Sequence, residues 1–263
     1  MITVMIAGPR GNMGREAVKL VQREEGMKLT GVIDYKFGGK TMQDTGHMES
    51  LDIPVFETLD DAAKNKPDVL IDLTNPETGK KHLRRALELG IRPVVGTTGF
   101  TDEDIEALSV LAQEKKLGAV IAPNFAIGAI LLMKLSVMAA KYMPEVEIIE
   151  QHHDRKLDAP SGTAMKTAQM ISDVRPEASQ GHPEEEEAWK GARGADYEGM
   201  KIHSVRLPGR VAHQEVIFGG EGQTLTIRHD SLNRASFMPG VKMAVEHAVA
   251  AAGLVYGLEN LID

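Results

Sequence analysis

The sequence predicts an α/β fold in two parts. The first is an N-terminal domain on a parallel sheet. The second is a C-terminal α+β domain on a mainly antiparallel sheet. Three observations predict it. Short apolar runs alternate with helical patterns through the first half. Extended segments then follow one another closely near residues 202–229. A glycine-rich loop separates the first apolar run from the first helical pattern. Strands that recur with helices between them imply β–α–β units with helices on both faces of a sheet.

Taken in order, Thr3–Ala7 is an apolar run that stops at Gly8, and Met13–Glu24 follows with helical spacing. Leu29–Ile33 and Val69–Leu73 read as strands, and Thr78–Leu89 as a helix stopped by Gly90. Pro93–Val95, an amphipathic Asp102–Lys115 and Ala119–Ala122 continue the alternation. Beyond residue 124 the pattern changes. Ile127–Tyr142 reads as a long helix, Val146–Glu150 as a strand and Thr163–Asp173 as a helix. Residues 174–200 are polar and rich in Gly and Pro, and read as a surface loop. Ile202–Arg206, Glu215–Phe218 and Thr224–His229 predict antiparallel strands, and Met243–Leu254 a final helix free to return to the first domain. The expected division is residues 1–126 plus 237–263 for the first domain and 127–236 for the second.

The chain has 263 residues, room for one large domain or two modest ones at ~150 residues each. It is 42% hydrophobic and 26% charged, an ordinary globular balance. Aromatics make up 4%, too few for base-stacking platforms. The excess of 38 acidic over 30 basic residues, net −8, disfavours nucleic-acid and anionic-membrane partners. The absence of cysteine excludes disulfides, thiolate catalysis and zinc–cysteine sites. No apolar run approaches ~18 residues and no secretory leader is evident, so a cytoplasmic protein is expected.

Gly8-Pro9-Arg10-Gly11-Asn12-Met13-Gly14 lies between the first strand and the first helix. Glycines there permit a tight turn and close approach of backbone to a pyrophosphate at the helix N-terminus. Asp34, at the end of the second strand, is placed to bond ribose hydroxyls. The spacing is G-x-x-G-x-x-G, a variant of the Rossmann-type fingerprint. An Asp at the strand end favours NADH, while Lys36 beside it tolerates the 2′-phosphate of NADPH, and both cofactors stay open. Gly96-Thr97-Thr98 and Pro123-Asn124-Phe125-Ala126 follow later strands, where loops line the ligand crevice of an open parallel sheet.

The densest polar stretch is Glu150-Gln-His152-His153-Asp-Arg155-Lys156-Leu-Asp158-Ala-Pro160-Ser161-Gly162-Thr163. Two His, an Arg and a Lys within five residues make a cationic pocket in an acidic chain, fit to receive carboxylates. Histidine also offers a proton near neutral pH. Ser161 reads as an N-cap, with Gly162 and Thr163 supplying the first free N–H groups of a helix, a direct anion site. No His-x-x-x-His pair exists, so no metal is expected, and no G-x-S-x-G elbow marks Ser161 as a nucleophile. Another two-domain nicotinamide dehydrogenase and a non-catalytic nucleotide sensor are the rival readings. A sensor has no use for HHDRK followed by APSGT.

These segments carry a resemblance. GPRGNMG, GTTGF at 96–100, APNFAIG at 122–128 and above all EIIEQHHDRKLDAPSGTA at 147–164 resemble the dihydrodipicolinate reductase family. The likeness continues through IHSVRLPG, GGEGQTLTIRHDS and the last helix. It implies NAD(P)H-dependent reduction of 4-hydroxy-tetrahydrodipicolinate, a small cyclic dicarboxylate, to tetrahydrodipicolinate with loss of water, in lysine biosynthesis through diaminopimelate. It also implies a homotetramer built through C-terminal sheets. By motif position, His152 and Lys156 would be catalytic, and His153, Gly162 and Thr163 would bind substrate. Gly8, Pro9, Arg10, Gly11, Asn12 and Met13 would hold the pyrophosphate, Asp34 the ribose, and Gly96–Thr98 with Pro123–Ala126 the nicotinamide side.

Lys36→Ala is expected to weaken NADPH binding more than NADH binding, by on the order of 1 kcal/mol for one exposed phosphate contact. Titration of both dinucleotides against wild type and variant checks it, and equal losses would remove Lys36 from cofactor selection.

Overall fold

The computed structural model describes residues 1–178 and 180–262. The chain divides into two compact units: Met1–Phe125 with the segment from Phe237 onward, and Ala126–Ser236.

The first unit contains β1 (Ile2–Ala7), α1 (Asn12–Arg23), β2 (Met27–Ile33), β3 (Val55–Phe56), a one-turn α2 (Leu59–Ala62), β4 (Val69–Asp72), α3 (Pro76–Glu88), β5 (Arg92–Val95), α4 (Asp102–Lys115) and β6 (Gly118–Ile121). Val4–Ala7 and Val69–Ile71 are wholly buried, as strands covered on both faces must be, so their sequences run apolar rather than alternating. The helices start where local chemistry starts them. Asn75 accepts the Thr78 N–H and Pro76 follows at the first helical position of α3. Thr101 and Asp104 form a reciprocal capping box on α4. Gly90, at φ +81°, closes the turn after α3.

The sheet is parallel throughout, in the order β12-β6-β5-β4-β1-β2-β3. Strand order reverses between β1 and β4, which opens a crevice beyond their carboxyl ends. Two elements after the second unit complete this one: α7 (Met238–Ala250) and β12 (Gly253–Tyr256). Val241, Ala244, Val245 and Ala248 form the buried face of α7, and Lys242 pairs with Glu24 beside α1 at 2.5 Å.

The second unit contains α5 (Ile127–Ala140), β7 (Glu145–His152), α6 (Gly162–Ser172), β8 (Ala195–Tyr197), β9 (Met200–Arg206), β10 (Ala212–Gly220) and β11 (Gln223–Ser231). Its sheet runs β11-β10-β7-β9-β8. All pairings are antiparallel except β7 with β9.

Four features differ from the sequence reading. The stretch 174–200, read as loop, holds β8 and the first residue of β9. Glu198 and Gly199 lie at positive φ between them, so a tight reversal joins two strands inside a polar segment. The last helix ends at Ala250 rather than Leu254, and Gly253–Tyr256 is an edge strand beside β6. The Ala-rich run hid the break, which Gly253 makes at φ +95°. β9 does not lie beside β10, because β7 separates them and runs parallel to β9. Finally, β7 continues through His152, so the polar segment opens inside a strand.

Candidate active site

In the first unit the glycine loop turns directly off β1. Gly8 adopts φ +81°, and a β-carbon there would press on the Leu73 carbonyl beyond β4. Gly14 packs its backbone onto the Gly8 carbonyl, so a β-carbon would collide with it. These two constraints bring α1 head-on to the end of β1, with no side chain capping its N-terminus. An N-terminus left so open is an anion site.

A cavity of about 660 Å³ opens here, bounded by Gly8, Arg10, Gly11, Asp34, Thr74 and His82 among others. Asp34 is 6% exposed. One of its oxygens accepts the Arg10 Nε–H at 2.5 Å and the other accepts the Lys36 backbone N–H at 3.0 Å. The Arg10 guanidinium also lies 5.8 Å from the Tyr35 ring and 5.5 Å from Phe37. Beyond β5, Thr97 is buried and its hydroxyl has no hydrogen-bond partner. The Phe125 ring is 3% exposed and lies where a side chain on Gly96 would sit. Ala126 is the N-cap of α5. The glycine cradle, the strand-end carboxylate and an unpartnered hydroxyl fit a dinucleotide.

The second unit gathers the polar segment around one carboxylate. Glu150 and His152 lie two apart on β7, hence on the same face of the sheet. Glu150 is fully buried. Its Oε2 contacts His152 Nδ1 at 2.6 Å and accepts Arg206 Nη1–H at 2.8 Å. Its Oε1 accepts Arg206 Nη2–H at 2.7 Å and the Ser161 backbone N–H at 3.2 Å. Burial opposes ionisation of this carboxyl, but hydrogen bonds from His152, Arg206 and Ser204 outweigh it and hold the group at about 2.

Ser161 caps α6 by accepting the Ala164 N–H at 3.2 Å, as the sequence predicts, and Gly162 is exposed as the first helical residue. His153 keeps a buried Nδ1 with no hydrogen-bond partner. Lys156 reaches Asp158 Oδ1 at 2.7 Å, and this contact lowers the Asp158 carboxyl against the opposing effect of burial.

The structure thus brings His152 and the Ser161 backbone together on Glu150, with Gly162 next in the chain as the first residue of α6. It joins Gly8, Arg10, Gly11 and Asp34 around the cavity. The Lys36 ammonium stands 5.6 Å over the Tyr35 ring, and the cation seated on Asp34 is Arg10. The sequence reading gave no role to Arg206, which lies 56 residues from Glu150. No spacing rule links two residues so far apart. Among the described residues no group of three or more His, Cys, Asp or Glu could hold a metal ion. Likewise no helix there is long and apolar enough to cross a membrane.

An open parallel sheet with a glycine cradle at an uncapped helix head, followed by a histidine–carboxylate site beside a second, Ser161-capped helix head, defines a nucleotide-dependent enzyme of small anionic substrates. Comparison with known proteins is more specific. Family models described as the N-terminus and C-terminus of dihydrodipicolinate reductase match residues 2–125 and 128–262. The 4-hydroxy-tetrahydrodipicolinate reductase of Shouchella clausii is 65% identical, covering all of both chains. That of Geobacillus thermodenitrificans is 61% identical, over all of this chain and 99% of its own. A dipicolinate-bound dihydrodipicolinate reductase from Paenisporosarcina superposes with a TM-score of 0.91 at 54% identity, with full coverage of both chains. An amine dehydrogenase from Mycobacterium smegmatis shares the fold at 14% identity, with a TM-score of 0.67 over 98% of this chain and 95% of its own. The chain belongs to the dihydrodipicolinate reductase family.

Glu150 carries a prediction about acid stability. Its carboxyl is lowered from the ordinary 4.5 to about 2 on folding, so its contribution is complete above 4.5 and fades as pH falls toward 2. The contribution is on the order of 3 kcal/mol. The stability gap between wild type and Glu150→Gln is therefore expected to narrow across that window. Urea unfolding at stepped pH measures it, and a gap independent of pH would refute the assignment.

Proposed function

We propose that this chain reduces 4-hydroxy-tetrahydrodipicolinate to tetrahydrodipicolinate with NADH or NADPH, water being lost, in lysine synthesis through diaminopimelate. The observation that carries this is the polar segment 150–164. It presents a histidine braced on a buried carboxylate and, within ten residues, the Ser161-capped N-terminus of α6. Full-length relatives named for this activity support it.

The substrate has two carboxylates and needs two anchors. The backbone N–H groups of Gly162 and Thr163 serve one, at the head of α6. His153, with its unpartnered Nδ1, and Lys156 serve the other. Gly8–Met13 and Asp34 hold the dinucleotide, and Thr97, Thr98, Pro123 and Asn124 serve its nicotinamide side. When bound, the reduced dinucleotide supplies a hydride. Reduction of the conjugated ring leaves negative charge that a proton or cation must meet. His152 gives that proton, and Lys156 supplies a second cationic donor. With Arg10 against Asp34, the site offers a carboxylate to a 2′-hydroxyl and a guanidinium to a 2′-phosphate, which supports use of both cofactors.

The enzyme acts in the cytoplasm as a homotetramer. β11 is a nine-residue edge strand exposed along most of its length. Leu131, Leu135, Met138 and Tyr142 form an exposed apolar stripe at helical spacing on and just beyond α5. An edge and a stripe of this kind are normally covered. Light scattering at micromolar concentration is expected to give four times the 28.6 kDa chain mass, and a monomer would refute it.

The deciding assay follows NADH and NADPH oxidation with enzymatically generated substrate. His152→Gln is expected to lower kcat about 10²–10⁴-fold while dinucleotide affinity stays near normal. Lys156→Ala is expected to lower kcat and raise KM, with Lys156→Arg a poor rescue. Thr163→Val is expected chiefly to raise KM, since it keeps the backbone N–H and removes the hydroxyl. Wild-type kcat in both His152→Gln and Lys156→Ala would place the chemistry elsewhere.

A further inference from the structure

We infer that Glu150 is a positioning residue that fixes the tautomer of His152 and, with the same carboxylate, the head of α6. The inference rests on the reading of His152 as the proton donor and adds what makes it one.

Arg206 bonds both carboxylate oxygens through separate nitrogens, at 2.8 and 2.7 Å. A carboxylate gripped by a guanidinium fork is ionised and can only accept. The proton in the 2.6 Å contact between Glu150 and His152 therefore sits on Nδ1. Nε2 is left as the one ring atom that takes up and gives away a proton. The orientation is as constrained as the tautomer, because the carboxylate is fully buried and cannot follow a turning ring.

The second carboxylate oxygen, Oε1, holds the turn. It accepts the backbone N–H of Ser161, whose hydroxyl caps Ala164. Arg206 Nη2 also donates to the Asp158 carbonyl at 2.7 Å, so the turn leading into α6 is held at two points. Displacing Glu150 disturbs the ring and the anion-binding turn together. A buried ion pair that merely supports the fold would have no bearing on either.

The tautomer is measurable in the unaltered protein. Nitrogen-15 spectra of labelled histidine are expected to show neutral His152 protonated at Nδ1, and protonation at Nε2 would overturn the inference. Two variants separate the two roles. Glu150→Gln still offers an oxygen to Ser161 but no longer dictates the tautomer. It is expected to lose about 10²–10⁴-fold in kcat with KM little changed. Glu150→Ala removes both contacts and is expected to raise KM as well as lower kcat. Circular dichroism establishes that each variant is folded, and if Glu150→Gln is not, the wild-type tautomer decides. A folded Glu150→Gln with wild-type kcat overturns the inference alone, provided His152→Gln is inactive. An active His152→Gln overturns the reading beneath it.

Discussion

A single buried negative charge organises the second unit. Taking a carboxylate out of water costs several kcal/mol unless donors replace the lost solvent. Glu150 receives them from β9, from its own strand and from the turn before α6. This requirement helps select the sheet. In the parallel register Glu150 faces Ser204 and His152 faces Arg206, so the guanidinium arrives from the next same-face position. A slip of one residue would turn Arg206 to the opposite face and strand the carboxylate. The register that satisfies the charge also sets the histidine beside it.

The first unit meets a related problem differently. There the constraint is steric: two glycines let backbone replace side chain where β1 meets α1. Asp34 is also nearly buried, and its cation comes from that same loop as Arg10. Both sites thus hold an acidic group with an arginine, but to different ends. In the Glu150 pair the carboxylate itself is fully buried. The Asp34 pair borders a cavity, within reach of an incoming ligand.

What could be read from the sequence was what is decided locally. α4 is recovered at its observed ends because Thr101, Asp104 and the apolar spacing all lie within it or at its cap. Ser161 as a cap and Gly8 as a turn are local in the same sense. The pairing of β9 with β7 was not legible, since neighbours in a sheet need not be neighbours in the chain. β12 was lost to an alanine-rich run that continues helical propensity past the break at Gly253. In the site, His152 stood out through its chemistry. Glu150 read as the end of a strand, because only Arg206, far along the chain, shows why a carboxylate belongs there.

The discontinuity of the first unit bears on how the chain is made. Once a ribosome has added residue 236, every residue of the second unit has been made, in one unbroken stretch. The first sheet still lacks its edge strand β12 and the helix α7 that covers β5 and β6. The nucleotide-binding half is thus interrupted in the chain by the whole of the second unit. Its unfinished face stays open until α7 and β12 have followed.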